Sequence, residues 1–286
     1  MKKTIFSSPA KINLGLSILR KLPNNYHEVE TVYCQFSLDD RITIQESVGE
    51  TLEINCSDKT IPCGKENLVY KAAELIKKKR NIKKGLKIFI DKKIPASAGL
   101  GGGSANAGAT LNALNDFWNL NLSLDKLIEL AKLIGADVSY NLVGGIQLEF
   151  QGGQKAGKFR NLGKLPECFL VVCFPEIKIN TKTAYSQVNY KEINKNNLSA
   201  LIKAIKAKDL KKIGTSLHND FEIWMIKKYP IVGQLKKLMI KYGAVGSLMT
   251  GKGSTVFGIF DDSVKADKAY RFLRKQFKQT FLGEPV

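Results

Sequence analysis

Apolar and polar positions alternate along the first part of the chain, and a period of two predicts β-strands. Ile12, Leu14, Leu16 and Ile18 share one face, which places Lys11, Asn13, Gly15 and Ser17 together on the face opposite the core. Further strands are expected at 29–36, 42–45 and 52–55, and Leu86, Ile88 and Ile90 alternate in another. Between them the period changes: Leu68, Val69, Ala72, Ala73, Leu75 and Ile76 keep one helical face apolar. Ser123 is placed to cap a second helix over 124–134, with Gly135 as the residue that ends it and Ala136 and Asp137 directly beyond. A strand carrying Ile146, Leu148 and Phe150 follows.

From 151 to 163 the chain is rich in Gly, Lys and Gln and loses its periodicity, so a domain boundary is expected there, giving 1–158 and 159–286. The second half restarts with an apolar strand at 169–174. Helices are expected over 181–188, 198–207, 210–221 and 231–242, strands over 246–250 and 255–260, and a closing helix over 263–277. Strands and helices in this mixed order indicate an α+β protein.

The stretch from Pro95 to Ala105 stands out from both patterns. Gly99, Gly101, Gly102 and Gly103 follow the strand at Ile90, and Ser104 opens a run of small residues at helical spacing. Such a strand, glycine loop and helix let backbone amides approach an anion, most plausibly phosphate, at a positive helix end. The same residues also suit a tight connection with no ligand. The loop is not a Walker loop, since no Gly-Lys-Ser or Gly-Lys-Thr follows. Gly246, Gly251 and Lys252 do have Walker spacing, but Gly253 stands where the magnesium-binding hydroxyl belongs.

Composition narrows the partners. The chain carries 45 Lys+Arg against 26 Asp+Glu, a net charge of +19, which suits polyanions or small phosphorylated ligands. Only residues 77–84 form a dense basic block, no nucleic-acid motif accompanies it, and aromatics do not interleave with it. The lysines are therefore read as solvent-facing. Cys34, Cys56, Cys63, Cys168 and Cys173 are odd in number and sit in apolar or alternating runs, as reduced core residues of a cytosolic protein do. With only His27 and His218 and no CxxC pair, a zinc site is not expected. Ser7, Ser8 and Pro9 break the early apolar run, so no signal or membrane segment is expected and the protein is placed in the cytoplasm.

Two local features stay open on residues alone. Asn67 suits either the N-cap of the helix it precedes or a position facing a nucleotide. Tyr26 and His27, at a loop-to-strand junction, suit either mutual packing or stacking and hydrogen bonding to a planar base.

Taken together, several stretches resemble the GHMP kinase superfamily. They are Pro9-Ala10-Lys11-Ile12-Asn13-Leu14, Tyr26-His27, Glu66-Asn67-Leu68, the loop from Pro95 to Ala105, Gly135-Ala136-Asp137-Val138 and Met249-Thr250-Gly251, in that order along nearly the whole chain. The resemblance implies an N-terminal domain like the second domain of ribosomal protein S5 and a ferredoxin-like C-terminal domain. It implies an ATP-dependent kinase with Mg²⁺, whose acceptor is cytidine diphosphate joined to methylerythritol. Other acceptors of the superfamily, homoserine or mevalonate, are the alternative, and a basic nucleic-acid-binding protein is the remoter one.

By resemblance, Lys11 and Asp137 match the catalytic pair. Pro95, Ala96, Ser97, Ala98, Gly99, Leu100, Gly101, Gly102, Gly103, Ser104 and Ala105 match the ATP loop, while Asn67 and Lys92 match positions on the adenosine side. Tyr26 and His27 match residues that hold the cytosine, Tyr185 the aromatic on the base's other face, and Asn13 a contact near the reacting end of the acceptor. Ala105, Ser139 and Lys252 depart from the pattern, where a serine, a proline and a Ser or Thr between glycines are usual. Metal ligands are not evident.

Overall fold

A computed structural model describes residues 2–23, 27–151, 157–193 and 198–286. The first half of the chain forms β1 (Lys3–Lys21), β2 (His27–Ser47), β3 (Leu52–Cys56), α1 (Leu68–Arg80), β4 (Gly85–Asp91), α2 (Gly102–Phe117), α3 (Leu124–Lys132) and α4 (Ala136–Val143). Then come β5 (Gln147–Gln151), β6 (Lys158–Asn161), β7 (Phe169–Phe174), α5 (Thr181–Ser186), α6 (Ser199–Lys206) and α7 (Leu210–Thr215). The chain closes with β8 (His218–Asn219), α8 (Glu222–Lys228), α9 (Pro230–Lys241), β9 (Gly246–Met249), β10 (Val256–Phe260), α10 (Ser263–Gln276) and β11 (Gln279–Gly283).

These elements form two compact units, neither of them a single run of chain. The first comprises Met1–Ala10, Leu38–Ala96 and Gly101–Gly144; the second comprises Lys11–Ser37, Ser97–Leu100 and Gly145–Val286. Strands β1 and β2 and the glycine loop each contribute residues to both.

In the first unit the later part of β2 pairs antiparallel with β4 from Arg41↔Asp91 to Ser47↔Gly85, and β3 joins β4 in parallel. Ile42, Ile44, Ile88 and Ile90 turn inward from this sheet onto Val69, Ala72, Leu111 and Leu114 of α1 and α2. Asn67 accepts a hydrogen bond from the Val69 amide at 2.8 Å and so caps α1, a device worth about 1 kcal/mol. The basic block has a local account too. Lys77, Lys78, Lys79 and Arg80 occupy the last turn of α1, where the helix dipole favours cations, and the Lys77 ammonium donates to the Glu50 and Lys84 carbonyls.

In the second unit the early part of β2 pairs with β5, β5 pairs with β6, and β1 meets the two-residue β8 in parallel at Gly15↔His218 and Leu16↔Asn219. A separate antiparallel sheet runs β11-β7-β10-β9. Its core includes Val171, Cys173, Met225, Leu235, Met239, Met249, Phe260 and Leu273. Gly214 on α7 meets β9 with backbone against backbone: a Cβ there would overlap the Val245 carbonyl, and one at Gly246 would overlap Gly214.

Several expectations need correction. The helix read over 210–221 stops at Thr215, because the chain turns into β8 and then starts α8 at Glu222. Strands β6 and β11, too short or too polar to show a period, were not anticipated. The face of β1 opposite the core is itself buried: Lys11 is 5%, Asn13 1% and Ser17 3% exposed. All five cysteines are free thiols. Burial pushes Cys168 up to about 12 and Cys173 up to about 11, so both stay protonated and unreactive at neutral pH. Among the described residues no helix is long and apolar enough to cross a membrane.

Candidate active site

The glycine loop is built from both units, and each part has its own partners. In the first unit, helix α2 begins at Gly102, two residues earlier than Ser104. Its N-cap is Gly101 in the left-handed region at φ 69°, and no side chain caps it. The first intrahelical bond at this end runs from the Ala105 amide to the Gly101 carbonyl at 2.8 Å. The amides of Gly102, Gly103 and Ser104 therefore lie ahead of the ladder at a positive helix end, with no acidic residue in the first turn. Residues 105–114 bury Ala105, Ala107, Leu111 and Ala113, so the small side chains that follow the loop serve packing.

Pro95 and Ala96 lead into this loop from a fixed base that sequence reasoning missed. The Asp40 side chain is fully buried; its Oδ2 accepts from the Lys92 ammonium at 2.5 Å, and its Oδ1 from the Lys93 and Ile94 amides at 2.7 and 2.9 Å. Lys92 is thus committed to a buried ion pair. Its Nζ lies where a Cβ added at Gly102 would be 3.0 Å away, which sets a neutralised cation beside the start of α2. Asn67 is likewise engaged, accepting from Val69 and donating to the Pro62 carbonyl at 2.6 Å.

Asp137 lies in the first turn of α4. The expectation that it sits beyond a helix C-terminus is corrected here, because α3 ends at Lys132 and Gly135 opens a new helix. Gly135 has extended backbone at φ 176°, not the left-handed geometry of a helix stop. The sign of the dipole is thereby reversed: an N-terminal position favours the ionised carboxylate. Asn141, one turn on, donates to the Asp137 carbonyl at 2.8 Å. Helix α4 packs tightly on α2, since a Cβ at Gly108 would lie 2.9 Å from the Asn141 Cβ and 3.1 Å from the Val138 carbonyl. Ser139 is buried, and its hydroxyl has no partner among the described residues.

In the second unit, Ser97 and Gly99 take positive φ values of 60° and 80°, and the segment is tied down by its carbonyls. Leu100 accepts from the Lys11 amide at 3.0 Å and Ala98 from the Thr255 hydroxyl at 2.5 Å. The Lys11 ammonium donates to Asn13 Oδ1 at 2.9 Å and lies 5.1 Å from the centre of the Tyr33 ring. Asn13 Nδ2 donates to the Thr31 hydroxyl at 2.8 Å, and Thr31 donates on to the Gly15 carbonyl at 2.8 Å. Thr250, fully buried, accepts from the Asn13 amide at 2.9 Å and donates to Asn13 Oδ1 at 3.2 Å. The alternation rule that placed Lys11 and Asn13 on one face is correct, but that face holds a buried polar network.

The same unit gathers aromatic rings. His27 stacks on Tyr185 with centroids 4.5 Å apart and planes at 26°, and lies parallel to Tyr190 at 6.2 Å. Phe221 supports Tyr185 edge-on at 5.0 Å. Burial, and secondarily the nearby Lys21 charge, lower the His27 pKa from its ordinary value, so the imidazole is neutral at pH 7. A base entering between His27 and Tyr185 requires the two rings to part. Tyr26 lies outside the described residues. Lys252 donates to the Thr181 hydroxyl at the start of α5.

Comparison with known proteins agrees over almost the full chain. Residues 67–147 match the GHMP kinases N terminal domain and residues 201–279 the GHMP kinases C terminal. The 4-diphosphocytidyl-2-C-methyl-D-erythritol kinase of Enterococcus faecalis is 36% identical, covering 96% of both chains. That of Bacillus pumilus is 39% identical over 93% of this chain and 91% of its own. A crystal structure of 4-(cytidine 5'-diphospho)-2C-methyl-D-erythritol kinase superposes with a TM-score of 0.83 at 28% identity, covering 99% of each chain. The homoserine kinase of Cytophaga hutchinsonii shares the fold, with a TM-score of 0.79 at 20% identity over 99% of this chain and 95% of that one.

Proposed function

This chain belongs to the 4-diphosphocytidyl-2-C-methyl-D-erythritol kinases of the GHMP kinase superfamily, and we infer that it phosphorylates the 2-hydroxyl of that acceptor from ATP. The reaction yields the 2-phosphate and ADP, in the non-mevalonate route to isoprenoids. The protein is an α+β kinase, and the family matches fall on either side of the domain boundary at 158 that we propose. We place the reaction in the cytoplasm.

The observation that carries the reading is the uncapped start of α2 after a left-handed glycine. Three successive amides, of Gly102, Gly103 and Ser104, make no intrahelical bond, and Gly101 offers no side chain to cap them, which suits them to phosphate oxygens. The residues from Pro95 to Ala105 are the proposed phosphate cradle, with Asn67 and Lys92 proposed on the adenosine side. Mg²⁺ would be held chiefly by the phosphates of ATP, with the Ser104 hydroxyl as the chain's own donor, and it supplies charge neutralisation on the transferring group.

Transfer forms a bond between the acceptor 2-oxygen and the γ-phosphorus and breaks the bond from that phosphorus to the β-bridging oxygen. ADP leaves, and the hydroxyl proton passes to Asp137, whose first-turn position favours the ionised form that can accept it. Lys11 offsets charge developing on the γ-phosphoryl oxygens, held in line by Asn13. Asn13 contacts the acceptor near its reacting end. Neutral His27 reads the hydrogen-bonding edge of cytosine, and Tyr185, together with Tyr26, offers stacking faces worth about 1–3 kcal/mol per base.

The test is ADP release from ATP and Mg²⁺ with the cytidine-diphosphate-linked methylerythritol, homoserine and mevalonate offered separately. Turnover with the first alone is expected, together with its loss in Asp137→Asn. Comparable turnover of free methylerythritol would sink the cytosine recognition.

A further inference from the structure

The loop bearing Thr250 and Gly251 is held by one amide from a distant part of the chain. Asn219, on β8 and 3% exposed, donates from the same Nδ2 to two carbonyls, Met249 at 2.6 Å and Gly251 at 2.7 Å. Its Oδ1 accepts from the Phe221 amide at 3.0 Å, so both donors of the side chain and one lone pair of its oxygen are used. The two carbonyls bracket Thr250. What they fix lies against Lys11: Thr250 holds Asn13, Asn13 holds the Lys11 ammonium, and a Cβ at Gly251 would lie 3.4 Å from Asn13 Oδ1 and 3.9 Å from Lys11 Nζ. Asn219 itself is fixed on the far side, since β8 pairs with β1 at Leu16↔Asn219 and the adjacent Asp220 accepts from the Ile18 amide at 2.7 Å.

We propose that Asn219 is a positioning residue for phosphoryl transfer, setting the Thr250–Gly251 backbone and through it the place of the Lys11 ammonium; the proposal rests on Lys11 acting at the transferring group. Only a primary amide of this length supplies two donors from one nitrogen and an acceptor beside it. Aspartate would turn both donors into acceptors aimed at carbonyl oxygens, and serine could satisfy one carbonyl at most. Because the residue acts through the Lys11 charge and does not itself touch ATP, its loss should appear in kcat and leave the KM for ATP in place.

The experiment uses the full chain as Asn219→Ser, with Asn219→Asp as the second variant. Steady-state kinetics are measured with ATP, Mg²⁺ and whichever acceptor the parent turns over, alongside thermal unfolding and a crystal structure of Asn219→Ser. The expected result is a kcat lowered about 10- to 100-fold, with the KM for ATP within about threefold of the parent. In a Thr250→Val background the same change should add little, because both act along one chain of contacts. An unchanged kcat in a folded variant overturns the proposal, and so do losses that multiply in the double variant. The crystal structure decides independently of turnover: the contact from Lys11 to Asn13, 2.9 Å in the parent, must lengthen or re-form elsewhere, and its persistence overturns the proposal even if no acceptor is accepted. Failure of the acceptor assignment alone leaves both readouts usable.

Discussion

The Lys92 ammonium and the Asp40 carboxylate form an ion pair at 2.5 Å, with side-chain exposures of 6% and 0%. Removing one partner of such a pair strands the other charge, so Asp40→Asn is expected to cost about 3 kcal/mol in urea unfolding. A Lys92→Met, Asp40→Leu double variant should lose less than the single one, though the Lys93 and Ile94 amides would still lose their acceptor. If the double variant is the less stable of the two, those backbone bonds outweigh the stranded charge.

Asp137→Asn should lower kcat by about 10²- to 10⁴-fold while isothermal titration shows ATP affinity little changed. Lys11→Ala should lower kcat as severely. Unlike Asp137, which is half-buried, Lys11 is nearly fully buried and hydrogen-bonded to Asn13, so its removal should also lower the melting temperature. A Lys11→Ala protein with parent-like turnover would remove the cation from the mechanism.

His27 gives a pH dependence with a definite sign. Its folded pKa lies below the ordinary imidazole value of 6.5 through burial and then the Lys21 charge, so near that pH the unfolded chain binds more protons. Its contribution to stability is therefore present in full above the unfolded pKa, and is lost as pH falls through 6.5 toward the folded pKa. The chain has two histidines, so an NMR titration can follow each imidazole directly. Lys21→Gln should raise the His27 midpoint; a His27 midpoint at or above 6.5 in the parent contradicts the stacked, partly desolvated ring.

Ser139, in α4, buries a hydroxyl that has no partner among the described residues. Ser139→Ala removes the unsatisfied group and favours the helix, and is expected to stabilise the protein by about 1 kcal/mol. Denaturant midpoints at constant m-value are the measurement. A loss of stability would mean that the hydroxyl has a partner.

What was legible in the sequence was local. Asn67 and Ser123 cap the helices they precede because a cap and its target amide lie two or three residues apart. The glycine loop was legible because strand, glycines and small helix residues are consecutive. Asp137 was misplaced because eight residues, 136–143, are too few to show a helical period, and Gly135 suits a helix start as well as a stop. Asp40 and Asn219 were missed for a different reason. Their partners are 52 to 54 and 30 to 32 residues away apart from one near neighbour, and nothing in either local sequence announces them. Tyr190 was missed too, since its ring meets His27 only through the fold.

The bare backbone contact of Gly214 with Gly246 sets a length standard for what lies beyond it. The first residue precedes Asn219 by a few positions and the second begins the strand that ends at Met249, so the reach required of one short amide is fixed where two side chains are missing. Adding even a methyl group to either glycine forces helix α7 and strand β9 apart at their closest point. Tolerance at positions 214 and 246 is then a matter of calibration as much as of packing. A Gly214→Ala protein that still folds should carry its error downstream as a slower reaction, far from any residue that touches the substrate.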